Sequence, residues 1–233
     1  MTERYADVAW EEETSDATFT GVRFERVNFT GIELVACEFD DCEFIACRFD
    51  SAKLENCRFS GCHFYDAESE AGTSFKFART TGTVFSRCDL TMANFSRADL
   101  YEIELNDCQA QGADFSHATA THVVGARVAL HGGRLVDSNL SYADFTGADL
   151  RECDFSRSTM VHAILDECCL EGTELREVEL HGVSAQGVRL AGADLRGAQI
   201  DGLDVRKIDM TDVTIDHVQQ QVLLEAIGII VAD

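Results

Sequence analysis

The groups with the widest chemical repertoire in this chain are ten cysteines, seven histidines and 42 carboxylates. Thiols at Cys37, Cys42, Cys47, Cys57 and Cys62 could form disulfides, hold a metal or act as nucleophiles. Their spacing argues against all three. Nine of the ten cysteines fall on one stripe, whose members lie a multiple of five residues apart on either side of a single shift between Cys62 and Cys88, and only Cys169 departs. A tetrahedral thiolate site is usually built from CxxC pairs converging on one point. A period of five instead distributes thiols along columns, where a free cysteine packs as a small hydrophobe. That use of cysteine implies a reducing compartment. His63, His117, His122 and His131 show no ligand spacing, and the sequence has no P-loop, GxSxG elbow or HExxH pair. The chain is expected to be no enzyme and to carry no metal or cofactor.

The elements that position these residues are read from the same period. Phe19, Phe24, Phe29, Leu34, Phe39, Phe44, Phe49, Leu54, Phe59 and Phe64 follow one another at steps of five. After an interruption the frame resumes through Phe75, Phe85, Leu90, Phe95, Leu100, Leu105 and Phe115, and then from Leu135 to Ile215. Of 15 phenylalanines only Phe77 lies outside it. Two residues before each large residue comes a small one, as in Cys42, Cys62, Ala93, Ala113 and Ala148. Neither the helical period of 3.6 nor the strand period of 2 accounts for this pattern. A coil of four short sides does, with one large and one small residue turned inward per side. Twenty residues then complete a turn, and roughly nine turns stacked at ~4.8 Å give a rod of ~40 Å.

Two interruptions stand out as loops. Phe64 and Phe75 lie eleven apart, one more than two repeats, around residues 65–72. Tyr65, Asp66, Glu68, Ser69, Glu70 and Gly72 are candidate partner-binding residues there. The second break spans residues 121–132 and offers Thr121, His122, Val123, Val124, Arg127, Val128 and His131. It contains no acid, and its valines would be exposed. Leu130 falls inside this break and inside the frame at once, and both readings stand. Insertions in a solenoid are tolerated cheaply, yet loops on a rigid scaffold commonly carry recognition.

The frame ends near residue 215. Asp216 and Gln219 form a capping-box pattern, followed by an apolar stripe of Val218, Val222, Leu223, Ala226 and Ile227, with Gly228 as a stop and Ile229, Ile230 and Val231 beyond. An open solenoid end needs covering. The stripe and Ile229 are the expected dimer contacts, and two-fold pairing there would double the rod to ~80–100 Å. The expected division is a cap over residues 1–16, repeats over 17–215 and a terminal segment over 216–233.

The formal charge is −23. Affinity for phosphates normally needs clustered Lys and Arg, so direct nucleic-acid binding is disfavoured. A basic partner, or imitation of nucleic acid before a DNA-binding protein, suits this field better. No apolar run of about 18 residues is present, so a spanning helix is excluded. The first residues lack the order of a signal peptide, and a cytoplasmic location is expected.

Cys88-Asp89-Leu90, Ala98-Asp99-Leu100, Ala148-Asp149-Leu150 and Ala193-Asp194-Leu195 resemble the pentapeptide-repeat family over about residues 17–215. That resemblance implies an all-β fold, a right-handed quadrilateral β-helix, with two loop insertions and a short C-terminal helix. Within it, Phe64-Tyr65-Asp66-Ala67-Glu68-Ser69, Asn139-Leu140-Ser141-Tyr142-Ala143-Asp144-Phe145 and Leu223-Leu224-Glu225-Ala226-Ile227-Gly228-Ile229 are similar to the Qnr quinolone-resistance proteins. The resemblance implies a homodimer joined through its C-terminus. It also implies binding to DNA gyrase and topoisomerase IV, protection of both from fluoroquinolones, and a role for the loops. Asp99, Glu102, Glu104, Asp149, Glu152 and Asp154 are expected outward acids of a DNA-like surface. Immunity against a natural topoisomerase poison, or a scaffold with another partner, are the alternatives.

Overall fold

The structure, a computed structural model, describes residues 3–11, 13–125, 128–200 and 203–229. Repeats are wound four to a coil, and residues one coil apart pair in parallel. One ladder climbs through Arg4, Arg23, Glu43, His63, Asp89, Gln109, Asn139, Thr159, Glu179 and Gln199. We call this side one. Side two passes through Asn28, Arg48, Ser74 and Asn94, side three through Lys53, Arg79, Asp99 and Thr119, and side four through Arg58, Val84, Glu104 and Arg134. The chain is a right-handed quadrilateral β-helix. Ten rungs on side one, at ~4.8 Å each, make a rod about 43 Å long.

The period of five follows from how each side is closed. The backbone of the large inward residue donates up the stack and its predecessor donates down, as in Phe44 N–H to the His63 carbonyl (2.8 Å) and Glu43 N–H to the Val22 carbonyl (3.0 Å). Two residues after the large one, the chain turns the corner with a left-handed residue, such as Arg26 (φ 52°), Asn56 (φ 55°) or Gly21 (φ 64°). That conformation is unfavourable for residues other than glycine, and the ladders on either side impose it. Proline, which lacks the donor, is absent from the sequence.

The interior is columns of stacked rings. Phe29, Phe49, Phe75, Phe95, Phe115 and Phe145 lie one above another, with centroids 4.5–5.2 Å apart and planes within 9° of parallel. Phe19–Phe39–Phe59–Phe85 and Phe24–Phe44–Phe64 repeat the arrangement on sides four and one. A slip of one residue would turn every ring to solvent, so the register is strongly specified. All ten cysteines are free and buried. Seven of them, from Cys37 to Cys108, point at carbonyls of the coil below, as Cys57 Sγ does at Leu34 O (3.3 Å) and Cys88 Sγ at Phe59 O (3.3 Å). Burial pushes the Cys47 and Cys57 thiols up to about 12. Phe77, outside the frame, occupies an exposed corner.

Both interruptions are larger than the sequence frame suggests. Phe64 and Phe75 stand on adjacent sides, so their separation of eleven replaces a normal five: six residues are inserted, not one. Gln109 pairs with Asn139, thirty residues on, so ten are inserted in the second break. The frame alone counts only the remainder after division by five. Leu130 is 42% exposed, and its place in the frame is coincidental.

Both ends differ from the middle. Residues 4–6 pair in register with residues 23–25, and Tyr5 and Trp10 stack beneath Phe24 and Phe29. The N-terminal segment thus winds as a first coil. At the other end Asp216 and Gln219 close a reciprocal capping box (2.9 and 3.1 Å) at the start of the helix Gln219–Ala226. The Gln219 amide also donates to the Leu195 and Ala198 carbonyls (2.6 and 2.8 Å), plugging the last coil. Gly228 (φ 87°) ends the helix. Among the described residues no helix is long and apolar enough to cross a membrane.

Candidate partner-binding site

The first insertion leaves the corner between sides one and two. Tyr65–Asp66 pairs antiparallel with Ala71–Gly72, and the tip between them is exposed. Asp66 organises the turn. Its carboxylate accepts from the Ser69 hydroxyl (2.6 Å) and the Glu68 N–H (3.1 Å), and these bonds hold it below the usual carboxylate range. Glu70 is left-handed at the turn (φ 53°). Gly72 is required by space: a Cβ there would lie 2.3 Å from the Met92 backbone carbonyl. The loop borders a groove of about 380 Å3 whose far wall is Arg23, Glu25 and Arg26. The two arginines are a part of this surface that the sequence pattern does not single out; only the period of twenty brings them near the loop.

The second insertion leaves the corner between sides three and four, two coils later. It is an antiparallel hairpin, Thr121–Val124 with Val128–His131, in register Thr121↔His131 and Val124↔Val128. Its base is fixed by Thr121 Oγ1 and His131 Nδ1 (2.8 Å) and by Gly132 N–H to the Ala120 carbonyl (3.1 Å). His122 stacks on Tyr101 at 5.1 Å. The neighbouring Glu102 carboxylate pushes the Tyr101 hydroxyl pKa up. Tyr101 was not among the expected site residues. Its signal was an outward aromatic one rung below the insertion. Val123 (65%), Val124 (49%) and Val128 (54%) are exposed. Arg127 lies outside the described residues.

The two loops therefore do not form one site. They leave diagonally opposite corners, so each belongs to a different pair of sides. The charges are divided in the same way. On sides three and four, the coils below and above the hairpin carry Asp99, Glu102, Glu104, Asp107, Asp149, Glu152 and Asp154 against Arg151 and Arg157. On sides one and two, the same coils carry Asp89 and Asp144 against Arg97. All six expected acids are on the hairpin's two sides. Three are partly neutralised, Asp149 by Arg151 (2.6 Å), Asp154 by Arg134 (3.6 Å) and Asp99 by Arg79 (3.8 Å). Glu102 and Glu152 occupy exposed corners directly below and above the hairpin.

The expected dimer residues divide about the helix. Leu223 packs on the core beside Gln219, while Val218 (68%), Ile227 (51%), Ile229 (48%), Val222 (36%) and Ala226 are exposed. Ile230 and Val231 lie outside the described residues. Among the described residues no group of three or more His, Cys, Asp or Glu is arranged to hold a metal ion.

Comparison with known proteins fits this geometry. No curated protein matches the sequence. Among solved structures, a trypsin-treated form of QnrB1, described as a plasmid-mediated fluoroquinolone resistance protein, is 26% identical, with both chains covered completely and a TM-score of 0.76. Full-length QnrB1 is 29% identical over 97% of this chain and 100% of its own, with a TM-score of 0.74. HetL, a pentapeptide-repeat protein of the cyanobacterium Nostoc involved in heterocyst differentiation regulation, shares the fold at 20% identity, over 86% of this chain and 90% of its own (TM-score 0.61). The family model for pentapeptide repeats matches residues 42–68, 71–107, 138–176 and 173–212. Its gaps at 69–70 and 108–137 fall on the two insertions. The chain belongs to the pentapeptide-repeat family.

Proposed function

We propose that this protein binds type II topoisomerases, DNA gyrase and topoisomerase IV, as an acidic DNA-like dimer and protects them from fluoroquinolones. The observation that carries the reading is the end-to-end likeness to a fluoroquinolone resistance protein. The charge supports it independently. Residues 4–199, which span the rod of about 43 Å, carry 34 acids and 17 bases, a net −17 or one negative charge per ~2.5 Å, the same order as the ~1.7 Å of duplex DNA. A surface shaped to meet DNA would meet such a rod with complementary potential.

The division of charge gives the docking an orientation. Sides three and four would face the basic surface. The hairpin's valines, lying between Glu102 and Glu152, would supply a contact that salt does not screen. The exposed Val218, Val222, Ala226, Ile227 and Ile229 would pair two rods at their helical ends. Equilibrium binding to immobilised gyrase at 50 and 300 mM salt tests the reading. Affinity should fall at least about tenfold across that range, because exposed charges are screened. Undetectable binding to gyrase and topoisomerase IV alike at 50 mM would refute it. Sedimentation of the protein, with Ile227→Asp as the monomeric control, tests the dimer.

A further inference from the structure

We propose that the open N-terminal end of the solenoid is a binding site for a cationic side chain, a guanidinium or ammonium carried on a basic segment. The argument begins with the ring columns. Every phenylalanine inside the rod is covered above and below by the next coil, but a column must end. Tyr5 is the last ring beneath Phe24, stacked at 5.5 Å and 9°. Phe19 is the last ring beneath Phe39, at 5.0 Å and 9°. Trp10 ends the column of Phe29.

Within the first coil, Tyr5 and Trp10 meet edge to face at 70°, much as Phe24 and Phe29 do at 67° in the coil above. Trp10 is therefore a neighbour of Tyr5 and not a lid on it. Among the described residues no further coil lies beneath, so the outer π faces of Tyr5 and Phe19 look out of the end. They border a cavity of about 540 Å3 lined also by Val8, Trp10, Glu11 and Thr14. The indole is fixed by its N–H donating to the Thr14 hydroxyl (3.1 Å).

The electrostatics of this cavity select the ligand. Ring faces carry the negative pole of the aromatic quadrupole, and a cation within about 6 Å of a centroid is attracted to them. Glu11 adds a carboxylate to the wall, and Glu3 sits at the Tyr5 hydroxyl (2.7 Å). An anion is excluded and a neutral apolar group would leave both carboxylates unused. Val8, 43% exposed, matches the aliphatic stem of an arginine or lysine.

Trp10 is the chain's one tryptophan, so its fluorescence reports this cavity and nothing else. The probe is N-acetylarginine amide, with N-acetylcitrulline amide as the uncharged isostere. The arginine probe should give a saturable change with a Kd on the order of millimolar, and citrulline should bind at least about tenfold more weakly. Tyr5→Leu should weaken the arginine probe about fivefold and Glu11→Gln about threefold, whereas Asp212→Asn in the last coil should change nothing. Glu11 is an exposed side chain, so its variant decides the matter if Tyr5→Leu disturbs the first coil. Equal binding of arginine and citrulline, or titrations unmoved by Glu11→Gln, would overturn the proposal and leave only the diffuse field of the rod.

Discussion

If docking is one-sided, equal changes of net charge on opposite sides must have unequal effects. Glu102→Lys with Glu152→Lys changes the net charge beside the hairpin by +4. Thr91→Lys, Gln109→Lys, Gln111→Lys and Thr159→Lys add four positive charges on side one, at outward rungs of the same part of the rod. At a contact distance of ~6 Å, two unit charges in water interact by ~0.7 kcal/mol, reduced to ~0.3 by a Debye length of ~8 Å. Four units of change on the docked side then amount to ~1.3 kcal/mol, about tenfold in Kd. The far side is one sheet spacing, ~10 Å, further away. At ~16 Å the screened interaction is ~0.04 kcal/mol per charge, and four charges change Kd by less than about 1.5-fold. The assay is the equilibrium Kd for gyrase in 0.15 M salt, with circular dichroism confirming both folds. Equal losses in the two variants would refute the one-sided arrangement and leave a uniform acidic rod.

Other perturbations probe the remaining links. Native protein should show none of its ten thiols to a thiol reagent at pH 8, and all ten in denaturant. Because burial raises the Cys47 and Cys57 pKa values to about 12, their contribution to stability is complete below the unfolded value near 8.5 and fades as pH rises toward 12; alkaline melts should show this. Asp194, held well below the usual carboxylate range chiefly by Arg196 with Arg176, behaves oppositely. Asp194→Asn should cost about 1–3 kcal/mol at pH 7, and the difference in Tm from the parent should shrink as pH falls below about 4. Excising the ten residues His122–His131 should leave the fold intact, because it returns Ala120 and Leu135 to the normal separation of five; drug protection should fall more than the salt-dependent part of binding.

The period of five was enough to read the architecture, because it is imposed by the coil itself. Each inward phenylalanine is a packing requirement, and each corner leaves room for a small residue behind it. Insertions are different. A loop of six residues and a loop of one leave the same remainder after division by five, so the pairing of Glu43 with His63 and of His63 with Asp89 is needed to tell them apart. Leu130 shows the same ambiguity in one residue. The role of the cysteines was legible because their spacing matched the core stripe. The helix was legible from Asp216, Gln219 and Gly228, but which face of it turns toward the rod depends on the Leu195 and Ala198 carbonyls that receive Gln219. The location of the acids on the hairpin's sides was written in the sequence at a period of twenty, yet became visible only once both insertions were measured correctly. The exposed aromatic end had no sequence signal, since Tyr5 and Trp10 stand 19 residues before Phe24 and Phe29 rather than 20 and so fall outside the frame of five.

The most direct measurement is gyrase supercoiling in the presence of ciprofloxacin, with this protein titrated from sub-stoichiometric amounts to excess. The account predicts rescue of supercoiling at low concentration, and inhibition only at excess, as the rod begins to compete with DNA. Inhibition without rescue at any ratio, or no effect on gyrase and topoisomerase IV alike, would contradict it.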